Sequence, residues 1–109
     1  MSNVIINGVE YVPVQQPTNR VIVRAVQGVH YGAVKSRVGS EIVLTDARRI
    51  WYWDGACSLS QMAVDGVSAP ENCKFTVRVP EITVLNVCEI IPCSEKAVAS
   101  IESVKEWRR

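Results

Sequence analysis

Short β-branched runs, each cut off by turn-forming residues, constrain this chain more than any other feature. Residues 4–6 and 9–12 flank Asn7-Gly8, the pair that best tolerates the positive backbone angles of a two-residue hairpin turn, so the chain is expected to open with a hairpin. Pro13, Pro17 and the polar residues between them break the pattern and make a connector, and residues 20–26 resume as a strand. Gln27-Gly28 turns the chain into VHYGAVKSRV, and Gly39-Ser40 turns it again into EIVLTDA. Later, Pro70 and Asn72 lead into KFTVRV, Pro80 interrupts, and EITVLNVCEII, ended by Pro92, is the longest strand candidate.

Two segments carry helical signals instead. Ser58 and Gln61 have capping-box spacing ahead of residues 62–65, which stop at Gly66, giving a helix of about two turns. Ser94 caps a second helix in which Ala97, Ile101 and Val104 recur at three- and four-residue spacing, while Glu95, Lys96, Glu102 and Lys105 face water. The expected fold is therefore α+β: a mainly antiparallel sheet with two short helices. At 109 residues the whole chain reads as one ligand-binding domain, with residues 1–19 as its N-terminal hairpin and connector.

Twelve basic residues stand against eleven acidic ones, a formal charge of +1, so no broad cationic face is available to neutralise a duplex and long nucleic acid is not an expected partner. A small phosphorylated ligand remains open, because two or three local arginines hold a phosphate whatever the net charge. The start, MSNVIING, lacks a secretory pattern and no apolar run reaches membrane-span length, which points to the cytoplasm and to no membrane partner. In that reducing compartment Cys57, Cys73, Cys88 and Cys93 are expected as small buried hydrophobes. Their spacing opposes zinc, because Cys88 and Cys93 would sit on opposite faces of a strand.

Catalysis finds little footing. His30 is the only histidine and no nucleophile elbow surrounds a serine or cysteine, so it reads as a strand or ligand-contact residue. Carboxylates are dispersed, and neither GxxxxGK[ST] nor GxGxxG is present; no cofactor is expected.

Residues 48–54, RRIWYWD, concentrate two adjacent guanidiniums, two of the three tryptophans and a tyrosine. Arginine forks phosphate and stacks on purines, as aromatic rings do, so the mixture suits a nucleotide. On an extended strand Trp51 and Trp53 share one side and read as a core or subunit-interface pair. Arg48 and Tyr52 then lie on the other side as ligand candidates, with Arg49 open to either role. Asn72, Lys74 and Phe75 bring an amide, a cation and an aromatic plane together, though Phe75 equally suits a plug for the sheet, Asn72 a turn cap and Lys74 a solvated residue. Arg24, His30 and Tyr31 complete the candidate set. In VHYGAVKSRV neither alternating side is cleanly apolar, which suggests a face that meets a ligand or another subunit.

The succession VIVRA, GVHYG, DARRIWYWDGA, SLSQMAVDGVSAPENCKF and EIIPCSEKAVASIESVKEW resembles a phage and prophage family of small proteins, the Thoeris anti-defence sponges of the first type. The resemblance runs from about residue 20 onward. This chain is shorter at VRAVQGVHYG, where that family often carries a serine and an alanine before the Gly-Val. The resemblance implies capture, without cleavage, of glycocyclic ADP-ribose, the signal made by bacterial TIR-domain immune enzymes. It also implies a homo-oligomer, a dimer or a trimer of dimers, able in some relatives to take cyclic oligonucleotide signals in a separate pocket. Two other readings compete: a structural or assembly protein of a phage whose aromatic run and last helix form a subunit interface, and a nucleotide hydrolase.

Overall fold

Alternation and turn chemistry produce a sheet whose two edges are drawn together. In the computed structural model, which describes residues 4–6, 9–11 and 18–108, β1 (Val4–Ile6) pairs antiparallel with β2 (Val9–Tyr11), Val4 opposite Tyr11. The Asn7-Gly8 turn, Val12 and the 13–17 connector lie outside the described residues. The main sheet comprises β3 (Arg20–Ala25), β4 (Gly28–Val38), β5 (Glu41–Tyr52), β6 (Lys74–Phe75), β7 (Val79–Val84) and β8 (Val87–Pro92). Its order is β6-β5-β4-β3-β8, every pairing is antiparallel, and β7 lies against β5. Helices α1 (Leu59–Asp65) and α2 (Glu95–Glu102) complete one α+β domain.

EITVLNVCEII is not one strand but two. Leu85 and Asn86 separate β7 from β8, with Asn86 at φ 56, a left-handed conformation that asparagine tolerates. Because β7 pairs with β5 and β8 with β3, this two-residue turn joins opposite sides of the sheet. The Val87 N–H donates to Ser40 O at 2.9 Å, tying the tip of the β4–β5 hairpin to the start of β8. Pro80 does not interrupt a strand; it sits within β7, which pairs with β5 on one edge.

The β4–β5 pairing shifts register twice, between Tyr31 and Ala33 and between Val34 and Ser36. Tyr31 pairs with Arg48 and Ala33 with Thr45, so Asp46 and Ala47 together face the single residue Gly32. A Cβ at Gly32 would stand 3.1 Å from the Cβ atoms of Ala47 and Leu44, a closeness that favours glycine there. Asp46 adopts φ 47 and is held by Arg20, whose guanidinium donates to its carbonyl at 3.1 Å and its carboxylate at 2.6 Å. The extra residue also reverses the parity of β5: Ile42 and Leu44 point to the same cluster as Ala47, while Arg48 and Ile50 turn to the other face.

Both faces of the sheet are consequently covered. Inside the curl, Val21, Val23 and Ala25 pack with Ile42, Leu44, Ala47 and Val84. On the outer face, Ile22, Tyr31, Ile50 and Phe75 pack against Met62 and Ala63 of α1 and Ala97 and Ile101 of α2. A side chain buried as completely as Ile22 or Leu44 contributes about 1.5–3 kcal/mol. This two-sided burial is why VIV is continuously apolar and why neither side of VHYGAVKSRV was cleanly so.

Ser58 Oγ accepts from the Gln61 N–H at 3.1 Å, but the Gln61 side chain accepts from Cys57 N rather than Ser58 N, so the capping box is shifted by one residue and α1 begins at Leu59. Gly66 ends α1 at φ 79, where a Cβ would collide with Ser100 of α2. Ser94 Oγ caps α2 through the Ala97 N–H at 3.0 Å. Glu102 does not simply face water: with Arg20, Asp46 and Arg78 it forms a ring of ion pairs, its partners being Arg78 and, at 3.6 Å, Arg20.

All four cysteines are free thiols, and only two are buried: Cys73 and Cys93, the latter pushed up to about 12 by burial, whereas Cys57 and Cys88 are exposed. Among the described residues no helix is long and apolar enough to cross a membrane, and no group of three or more His, Cys, Asp or Glu is placed to hold a metal ion.

Candidate functional site

The two arginines of RRIWYW part company on β5. Arg48 faces the helices and is 1 % exposed. Its Nε donates to Thr76 O at 3.2 Å, one terminal nitrogen to Ile101 O at 3.3 Å and Val104 O at 2.9 Å, and the other to Phe75 O at 3.3 Å. The guanidinium also lies 5.3 Å from the centroid of the Phe75 ring. All its nitrogens are thus engaged with backbone, which corrects the expectation of a ligand contact: a buried cation is tolerable only when its donors are satisfied.

Phe75 and Tyr31 are likewise buried, which corrects their candidacy; Phe75 plugs the sheet. Burial pushes the Tyr31 phenol well above its usual range, and the Arg20 guanidinium lies 5.5 Å from its ring centroid. The tryptophan pair also divides. Trp51 is 63 % exposed, whereas Trp53 is half-buried against the core and donates its indole N–H to Ala56 O at 3.1 Å. From Arg48 to Trp51 the side chains alternate with the faces inverted, because the Arg48 side is the core; a register shift between Ile50 and Tyr52 then breaks the alternation, so Trp51 and Trp53 do not share a side.

On the other face the exposed Arg49 stands opposite His30, itself only 1 % exposed, and donates to its Nε2 at 3.4 Å. Burial, and then the Arg49 charge, lowers the His30 pKa, so the ring is neutral near pH 7; with Nε2 accepting, the proton resides on Nδ1, which has no protein partner. The β5 backbone at Arg49 is clipped to Thr76 in both directions, Arg49 N–H to Thr76 Oγ1 and Thr76 N–H to Arg49 O, each 3.0 Å. Thr76 and Val77 form the shared wall of two depressions. One, of about 210 Å³, contains His30 and Arg49; the other, of about 350 Å³, contains Trp107 and Arg108.

Trp107 stacks on Trp51, with ring centroids 6.3 Å apart and planes 11° from parallel, and Lys74 Nζ lies 5.4 Å from the Trp107 ring centroid. Tyr52, 51 % exposed, pairs across β5–β6 with Lys74. The structure therefore brings together His30, Arg49, Lys74 and the stacked indoles around Thr76 and Val77, with Tyr52 alongside. It leaves Asn72 apart, bracing a 3₁₀ turn (Pro70–Asn72) through a 2.9 Å bond to Asp54, and Arg24 on the opposite face of the sheet, 3.7 Å from Glu89.

Sequence reasoning missed Trp107, Arg108, Thr76 and Val77. The signal available for the first two was KEWRR, a second aromatic–arginine juxtaposition resembling RRIWYW. Residues 18–101 match the family described as Domain of unknown function (DUF6948). No curated protein and no solved structure matches the chain.

Proposed function

We propose that this chain, which belongs to the DUF6948 family, captures a cyclic ADP-ribose-type nucleotide and holds it without cleaving it. The observation that carries the reading is the open face of β5, where an exposed arginine, Arg49, stands two residues from a largely exposed Trp51 braced by Trp107. A guanidinium forks the oxygens of a pyrophosphate, and an indole offers a flat surface to adenine. The resemblance of VIVRA, GVHYG and DARRIWYWDGA to the Thoeris anti-defence sponges supports the same ligand class, with cyclic oligonucleotides as a second candidate ligand. In this proposal the protein acts in the cytoplasm of a phage host, withdrawing an immune signal.

Retention rather than hydrolysis is supported by His30, whose Nε2 lone pair is engaged by Arg49 and so is not free to activate a water. The two depressions, about 210 and 350 Å³, sit at or below the small end of ligand-pocket volumes, roughly 300–1,000 Å³. A second subunit completing the walls, in a dimer or a trimer of dimers, belongs to the proposal. Effective sequestration needs low-nanomolar affinity, roughly −10 to −12 kcal/mol.

The test is titration of glycocyclic ADP-ribose into the purified protein by calorimetry, followed by mass spectrometry of the nucleotide released on heating. Nanomolar binding with intact release supports a sponge, and conversion to a product makes the protein an enzyme. Absence of binding to this and to cyclic oligonucleotides moves the reading to an assembly subunit, for which the exposed Val26, Val38 and Leu85 would then be the natural contact residues.

A further inference from the structure

After α2 the chain does not simply trail along the surface. Glu106 forms a parallel bridge with Phe75, and the Trp107 N–H donates to Phe75 O at 2.8 Å, so residues 106–107 attach to the free edge of β6. That edge has few backbone bonds to offer, since β6 is only two residues long. The Glu106 carboxylate supplies what the ladder lacks. Its Oε1 accepts from the Arg78 backbone N–H at 3.1 Å, while Oε2 accepts from Arg108 Nε at 2.9 Å and lies 2.7 Å from an Arg108 terminal nitrogen.

One carboxylate therefore performs two alignments. It anchors the segment to the backbone that leads into β7, and it fixes the direction of the Arg108 guanidinium, which lines the larger depression beside Trp107. Trp107, its backbone bonded to Phe75, lies nearly parallel to Trp51. A side chain whose backbone is bonded to a strand edge and whose ring is stacked has fewer conformations left to lose when a ligand arrives, which is how positioning groups raise affinity without touching the ligand.

We infer that Glu106 is the positioning residue of the nucleotide site: it seats residues 105–108 as an arm that holds Trp107 against Trp51 for the base and turns Arg108 toward the phosphates. This rests on the proposed capture of a nucleotide, but the seating of the arm has a readout of its own. Two indoles with centroids 6.3 Å apart couple excitonically, and where their in-plane transition dipoles are twisted relative to one another the coupling is visible in far-ultraviolet circular dichroism with no ligand present.

The experiment compares the full chain with its Glu106→Gln and Trp107→Leu variants, using circular dichroism, thermal melting and calorimetry with glycocyclic ADP-ribose. Trp107→Leu should abolish the couplet and thereby assign it to the stacked pair. Glu106→Gln should diminish the couplet and weaken capture about tenfold, the scale of one charge-assisted hydrogen bond, while the melting temperature stays close to that of the parent chain. An undiminished couplet in Glu106→Gln overturns the inference, as does a lost couplet with unchanged affinity. If the parent chain binds no nucleotide yet the couplet is lost in Glu106→Gln, the seating of the arm is upheld and the nucleotide reading falls.

Discussion

Arg48 and Arg49 are chemically identical neighbours with opposite fates. Arg48 is enclosed, and four backbone carbonyls, from Phe75 of β6, the following Thr76, Ile101 of α2 and Val104 just beyond it, accept its donors. Arg49 is exposed, and among its guanidinium contacts is a 3.4 Å bond to a neutral imidazole. A guanidinium inside a core is stable only where its nitrogens find acceptors, and one enclosed in this way is out of a ligand's reach. The proposed capture therefore rests on the less constrained member of the pair.

The comparison breaks most severely at Arg48. Arg48→Leu would leave those four carbonyls without their donor at the sheet–helix junction and should destabilise the fold by about 3 kcal/mol or more, read as a fall in the thermal midpoint of about 10 °C or more. Arg49→Gln should leave the melting temperature nearly unchanged, because the clip to Thr76 uses its backbone, while weakening nucleotide capture by about 10- to 100-fold in calorimetry.

Acid sharpens the contrast in a smaller way. The folded His30 resists protonation, so the unfolded chain takes up a proton below pH 6.5 that the native chain does not. This contribution to stability is complete above that pH and declines as pH falls below it toward the depressed native value. Urea melts from pH 8 to 5 should show the decline, and His30→Gln should flatten it. The smallest effect belongs to Arg24, whose exposed pairing with Glu89 should contribute less than about 0.5 kcal/mol; Arg24→Gln should change neither melting nor capture measurably.

Much of the architecture was legible because it is local. Ser58, Gly66 and Ser94 bound their helices through contacts within a few residues, and the β-branched runs announced the strands. The break at Leu85-Asn86 was hidden because a lone asparagine among apolar residues is a weak turn signal, made decisive only by the pairing of β7 and β8 with different strands. The inverted faces of RRIWYW have a similar cause. Alternation separates Arg48 from Arg49 but does not say which side is inward; that is set by carbonyls of Phe75, Ile101 and Val104, 27 to 56 positions away in the chain. Legibility of the candidate site was therefore partial: Arg49, Lys74, His30 and Tyr52 were within reach, whereas Trp107 and Arg108 arrive by way of a helix.

The fork of Arg48 on the end of α2 also governs how the molecule can come apart. A short surface helix ordinarily frays or detaches on its own, well before the body of a protein opens. Lifting α2 here would bare a cation in the middle of the sheet face, uncover Phe75 and expose the helix's own Ile101, so that opening should cost nearly as much as losing the whole domain. The amides that close its last turn, Ser103 and Val104, should accordingly exchange with deuterium in step with those of β4 and β5, as a single cooperative unit.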